Sequence, residues 1–296
     1  ERNEDITSSR GIWIRKPDGE IIKNAVMPIV QDLDRYPQPD YSFDGQYVMR
    51  GTSIKKMDPE LLKEIIGESP IGNKMSRYAY QTMTGRGCPH KCTYCVNDTL
   101  KNMYGEKSYL RWRSTEHVIS ELEWVRKTLP YIGSFWFSDD SFFARNRTGL
   151  EEFCREYKKR IGLPFFALAS PTTLTEEKMD MLVDAGLKSI QMGIETGSRR
   201  VQEMFNRKTM SNDRIMKAAT ILNKYKDRIH PPHYDIILDT PYETDEDKVE
   251  TLRFITELPK PYELQTFSLV LYPGTALYER AKKDGAKDAD RSRLRP

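Results

Sequence analysis

The chain has 296 residues, with 47 Lys and Arg against 44 Asp and Glu, a formal charge of +3. At 38% hydrophobic and 31% charged residues it reads as a folded globular protein, neither disordered nor collagen-like. The balanced charge gives no electrostatic case for nucleic acid or an anionic membrane, no apolar run reaches the ~20 residues of a membrane-spanning helix, and four cysteines are too few for a disulfide scaffold.

The N-terminus, Glu1-Arg2-Asn3-Glu4-Asp5, is polar, lacks an initiator Met and lacks the apolar core of a signal peptide, so a fragment or processed form is expected. Residues 1–76 are rich in Pro and Asp and weakly periodic, apart from a helical stretch over 59–66, and read as an extension or connector. From 77 to 272 short β-rich runs alternate with amphipathic stretches. The pattern predicts strands over 78–83, 135–137, 165–169, 189–194, 234–238 and 264–271. Between them fall predicted helices: one capped by Ser114 with Val118, Leu122, Val125 and Leu129 at helical spacing, and one over 149–159. Others follow around 178–183, closed by Gly186, and over 198–205, 212–225, 245–257 and 276–283. Alternation of this kind implies an α/β fold with parallel strands and right-handed crossovers. Six units in about 200 residues fall short of the ~250 of an eight-unit barrel, and an open doubly wound sheet shares the same period. Residues 286–296 read as a tail.

Three cysteines crowd one loop after the first strand, in Gly87-Cys88-Pro89-His90-Lys91-Cys92-Thr93-Tyr94-Cys95, with the spacing C-x3-C-x2-C. Cys88, Cys92 and Cys95 can ligate three irons of a cubane [4Fe–4S] cluster and leave the fourth iron open. Gly85 and Gly87 are expected to let the backbone bend closely round such a cluster. The competing readings are a zinc site with His90 as fourth ligand, and ordinary core cysteines. Zinc usually takes its ligands as two separated pairs, and a ferredoxin would want a fourth Cys nearby. Either would make the protein a non-enzymatic electron carrier or regulator. Cys154 shares an apolar helical face with Leu150, Phe153 and Tyr157 and reads as core packing.

The cysteine spacing, the aromatic before the last Cys and the place of the loop together resemble the radical S-adenosylmethionine (radical SAM) superfamily, over about residues 77–285. The resemblance implies a partial (β/α)6 barrel whose open iron binds the amino and carboxylate groups of S-adenosylmethionine. It implies an enzyme in which the reduced cluster cleaves the 5′ C–S bond, and the 5′-deoxyadenosyl radical abstracts a substrate hydrogen atom. Carried over by position, Tyr94 would neighbour the adenine, and Asp139 or Asp140 would hold the methionine amine where many relatives have Gly-Gly-Glu. Glu195, in Gly193-Ile194-Glu195-Thr196, would bind ribose hydroxyls or amine, and Arg207 the cofactor carboxylate. Asp239 stands where relatives often have a Gly that lets backbone approach the adenine. The plainer readings are Asp140 or Asp239 as helix caps and Glu195 as a surface residue.

Residues 11–41 resemble the connector that follows a cobalamin-binding domain in one subgroup of this superfamily. That implies cobalamin in a domain outside this chain, and methyl transfer or rearrangement at an unactivated carbon; an oxidative cyclase is the alternative within the family. The Asp-x-His-x-x-Gly signature of many corrinoid proteins does not occur in the chain, and residues 1–76 lack the further cysteines of methylthiotransferases. The implied partners are a small-molecule or natural-product substrate and an electron donor such as flavodoxin or ferredoxin, with neither nucleic acid nor membrane. The implied compartment is a reducing cytoplasm.

Overall fold

The computed structural model describes residues 6–69, 75–105 and 109–285, so the expected tail over 286–296 lies outside the described residues. Two antiparallel hairpins come first: β1 (Trp13–Arg15) with β2 (Ile21–Lys23), then β3 (Tyr47–Arg50) with β4 (Ser53–Lys56). Their strands are short and largely exposed, so they carry no apolar stripe to betray them in the sequence. α1 (Pro59–Glu68) follows, with the Asp58 side chain accepting from Leu61 N and Pro at its start.

The remaining elements run β5 (Ala79–Thr82), β6 (Gly85–Arg86), α2 (Val96–Tyr104), β7 (Arg111–Trp112), α3 (Thr115–Thr128), β8 (Ser134–Phe137) and α4 (Arg147–Arg160). Then come β9 (Phe165–Ala169), α5 (Glu176–Ala185), β10 (Leu187–Glu195), α6 (Arg199–Met204) and α7 (Asn212–Asn223). The last are β11 (His233–Leu238), α8 (Asp245–Glu257), β12 (Glu263–Ser268) and α9 (Ala276–Lys283).

Six strands pair in parallel in the order β5-β8-β9-β10-β11-β12. Because spatial order follows chain order, every right-handed crossover steps the same way and lays its helix on the same face of the sheet. A doubly wound sheet would reverse direction at a switch point. The alternative that the alternation left open is thereby decided: this is a partial (β/α)6 barrel, open between β5 and β12.

Side chains alternate along each strand. Tyr80, Phe135, Phe137, Phe165, Met192, Ile194, Tyr234 and Ile236 join Val118, Ile119 and Leu122 of α3 in one buried layer between sheet and helices. The residues between them, including Gln81, Trp136, Phe166, Gln191 and Asp235, therefore face the inside of the barrel. Cys154 lies in the outer layer with Phe153 and Tyr157, where burial pushes its thiol up to about 12. The N-terminal segment packs on the same side: Tyr41 stacks on Trp124 at 5.4 Å and its hydroxyl donates to Tyr80 Oη.

Candidate active site

The three-cysteine loop leaves the C-terminal end of β5, where barrel enzymes build their sites. The short β6–β7 ladder closes its base, pairing Gly85 with Trp112 and Arg86 with Arg111. A Cβ on Gly85 would stand 2.2 Å from the Trp112 ring, and Gly87 has φ +93 with Tyr109 O 2.6 Å from where its Cβ would be. Both glycines answer to the closing ladder and Tyr109, and the positive φ of Gly87 supplies a bend in the loop just before Cys88. Across the barrel mouth, Thr93 N donates to Phe205 O, Asn206 Nδ2 to Lys91 O, and Leu277 N to Thr93 O. The loop is therefore fixed to the ends of α6 and α9.

Cys95 is the first residue before α2, a helix with a polar buried face. Its Lys101 ammonium donates to His90 O inside the loop. Its Asn97 donates to Cys95 Sγ at 3.7 Å and accepts from Tyr109 Oη at 2.6 Å. All three loop cysteines are free. Burial pushes Cys88 up to about 11 and raises Cys95, so metal binding at these thiols releases protons. Among the described residues no three His, Cys, Asp or Glu side chains are gathered closely enough to hold a single ion. His90 Nε2 lies 2.9 Å from Ser170 Oγ beyond β9, and burial lowers its pKa to about 4. The zinc reading with His90 as fourth ligand therefore has no preformed site, whereas three separate thiols on one loop match a polynuclear cluster with one ligand per iron.

Opposite the loop, β10 ends in a bulge between Gly193 and Glu195, and Glu195 takes the left-handed φ of +69. Only 13% of its side chain is exposed, which excludes the plain surface reading. Arg207 is buried beside it: its Nη2 donates to Gly193 O at 2.6 Å, its Nη1 to Tyr94 Oη at 3.3 Å, and Nη1 lies 3.6 Å from Cys92 Sγ. Glu195 Oε1 is 3.8 Å from the same Nη1. Burial raises the Glu195 pKa, and Arg207 and Tyr94 oppose that rise. Tyr94 packs edge-on against Phe205 at 4.8 Å. The Arg207 Nε–H is buried and has no partner among the described residues. It fits an acceptor such as a carboxylate, and with the thiols it forms a donor set suited to a cluster that carries an amino-acid ligand.

The two acidic residues after β8 separate. Asp139 is 1% exposed, and its oxygens accept from Thr84 N at 3.0 Å and Thr84 Oγ1 at 2.8 Å. It braces the backbone that leads into the cysteine loop. Asp140 is exposed and close enough to Cys95 for its charge to raise that thiol. Asp239 adopts φ +60, the left-handed conformation a glycine would supply and which Asp tolerates, and accepts from Ser268 Oγ at 2.7 Å. Neither caps a helix: the turn after Asp140 starts from Ser141, and α8 from a Thr244–Asp247 capping box. Thr84, Asn97 and Lys101 were not singled out by sequence; a buried-face Lys in a short helix next to the thiols was the available signal.

Three thiols on the loop after the first strand of a six-stranded parallel barrel, faced by a buried carboxylate and guanidinium, are the arrangement that the radical S-adenosylmethionine resemblance implies. The Radical SAM superfamily profile matches residues 82–255, more than half of the chain, and the chain belongs to this superfamily. Its cofactors are a [4Fe–4S] cluster and S-adenosylmethionine. The chain is similar to an uncharacterized methyltransferase of Pyrococcus horikoshii, 25% identical over 268 residues, covering 90% of this chain and 50% of the relative. It is also similar to cytidylyl-2-hydroxyethylphosphonate methyltransferase of Streptomyces wedmorensis, 31% identical over 45% of this chain and 24% of the relative. The chain thus spans half or less of the length of these curated relatives. The fold is shared with the radical S-adenosylmethionine methyltransferase TsrM from Kitasatospora setae, at TM-score 0.65 and 16% identity over 95% of this chain and 50% of that one. It is shared too with the cobalamin-dependent S-adenosylmethionine radical enzyme OxsB, at TM-score 0.64 and 18% identity over 95% of this chain and 36% of that one.

Proposed function

We propose that residues 77–285 are the radical-generating barrel of a cobalamin-dependent methyltransferase acting on a small molecule, with residues 1–76 as its connector. The observation that carries the radical reading is the arrangement of Cys88, Cys92 and Cys95 on one loop, with the unpartnered Arg207 Nε buried behind Cys92. Supporting methyl transfer are the methyltransferase names of the relatives and the barrel shared with cobalamin-dependent enzymes. No residue of this chain is assigned to the cobalamin.

When bound, the cluster and S-adenosylmethionine together supply a carbon-centred radical able to take a hydrogen atom from an unactivated C–H bond. The chain's own residues bind, orient and exclude water. Cys88, Cys92 and Cys95 hold the cluster, and Arg207 offers Nε–H to the cofactor carboxylate while Glu195 holds its guanidinium in place. Glu195 also accepts from ribose hydroxyls or amine, Asp140 accepts from the amine, and Tyr94 and the backbone at Asp239 border the adenine. A reductant such as flavodoxin or ferredoxin supplies the electron, in the cytoplasm. Among the described residues no helix is long and apolar enough to cross a membrane.

The test is anaerobic turnover of the protein, reconstituted with iron and sulfide, with and without added cobalamin. Both 5′-deoxyadenosine and cobalamin-dependent S-adenosylhomocysteine are expected. Run on the protein with its cobalamin-binding domain and a chemical reductant, 5′-deoxyadenosine alone, unaffected by cobalamin, would remove methyl transfer; neither product would remove the radical reading as well.

A further inference from the structure

Below the thiol loop, the inside of the barrel carries a carboxylate that the cofactor reading leaves unused. Asp235 stands on β11 in register with Gly193 of β10, on the strand face opposite Tyr234 and Ile236. Gln191 Nε2 lies 2.8 Å from each of its oxygens. Among the described residues no ion pair reaches it: Arg207 is turned to Glu195, and His233, one step deeper, to Glu263 of β12 at 3.7 Å. A half-buried carboxylate whose hydrogen bonds among the described residues come from a neutral amide, with no cation in ion-pair contact, is costly unless something else pairs with it. Burial pushes Asp235 up to about 7, with the Glu195 charge adding to the rise and Arg207 and the Gln191 amide opposing it.

The facing wall is aromatic. Trp136 of β8 and Phe166 of β9 are register neighbours stacked at 3.5 Å and 15°. Phe166 is 1% exposed, while the half-buried Trp136 retains accessible surface. β8 and β11 are three strand steps apart in the curved sheet, so a ligand touching both Trp136 and Asp235 lies across the lumen. We propose that Asp235, aimed by Gln191, anchors a protonated amine or N–H group of the substrate, whose planar apolar part rests on Trp136. The substrate class is then a small aromatic amine. This rests on the barrel being where the radical is generated.

The test is equilibrium dialysis of the reconstituted protein, with S-adenosylmethionine present, against three probes of one shape: 2-phenylethylamine, 2-phenylethanol and 3-phenylpropionate. At pH 8 the amine is retained at least tenfold more strongly than the carboxylate. That preference falls about tenfold by pH 6, one unit below the Asp235 pKa, as its charge is lost. Asp235→Asn, which preserves shape, abolishes the preference; Trp136→Leu weakens all three probes alike and leaves it intact. Equal retention of amine and carboxylate by the unaltered protein, or an amine preference that survives in Asp235→Asn or does not change with pH, overturns the proposal. The pH series needs no variant, so a folding defect cannot hide the answer. If the same preparation makes 5′-deoxyadenosine yet shows no preference, only the substrate site fails; an amine preference without 5′-deoxyadenosine leaves the site and removes the radical reading beneath it.

Discussion

Replacing Asp235 by Asn should stabilise the protein, and by an amount that grows with pH. The carboxyl ionises in the unfolded chain near its ordinary 3.8 but in the fold is pushed up to about 7. Below pH 4 both states are protonated and the residue is neutral toward folding. As pH rises from 4 to 7 the unfolded chain gives up its proton first, so ionisation favours unfolding; above 7 the full difference applies. At about 1.4 kcal/mol per pH unit the cost reaches roughly 4 kcal/mol at pH 8 and between 1 and 2 kcal/mol at pH 5. Water reaching this partly buried group reduces both figures, and the rise between them is the diagnostic. Anaerobic urea denaturation followed by circular dichroism at the two pH values measures it. An Asn variant no more stable relative to wild type at pH 8 than at pH 5 would refute the claim of an unpaired interior carboxylate. A gain in stability at a group kept for ligand binding is the usual sign of a site held at a cost to the fold.

Cys92→Ala should abolish cluster assembly, whereas Cys154→Ala, in the core between sheet and helices, should leave iron uptake intact and cost only about 1–2 kcal/mol of stability. Iron analysis and denaturation separate the two. Arg207→Met strands the buried Glu195 and should cost roughly 3 kcal/mol, part of which a second change, Glu195→Gln, restores; additive losses in the double variant would show that the pair is not coupled. Asp139→Asn leaves Thr84 one acceptor and turns the other into a donor facing one of its two donor groups, a loss of about 1–3 kcal/mol readable by the same denaturation.

The six strands were legible because each is a compact β-rich run between helical stretches, and Gly186 closes α5 where the pattern ended it. The choice between an open barrel and a doubly wound sheet was not, because the direction of each crossover is a property of spatial order with no local residue signature. β1 to β4 escaped because their strands are short and largely exposed, with no buried apolar stripe. α2 escaped because its buried positions are Asn97 and Lys101, which hydrogen-bond the cysteine loop where an apolar stripe would pack a core. Adjacent acids were indistinguishable in sequence: the approach of Thr84 and the Gly85 backbone buries Asp139 as a brace and leaves Asp140 exposed. Asp235 differs again. A charged residue at an inward position of an apolar strand was visible, but that the Gln191 amide would hydrogen-bond it depended on the register of β10 against β11.

The central claim is that three thiols of this chain hold a cluster with one open iron that reacts with S-adenosylmethionine. Anaerobic reconstitution followed by iron analysis and EPR of the reduced protein tests it directly. About four irons per chain, with a cluster signal that S-adenosylmethionine shifts, is the predicted result. A protein that takes up one zinc and no iron, or a cluster whose signal S-adenosylmethionine leaves unchanged, would contradict it.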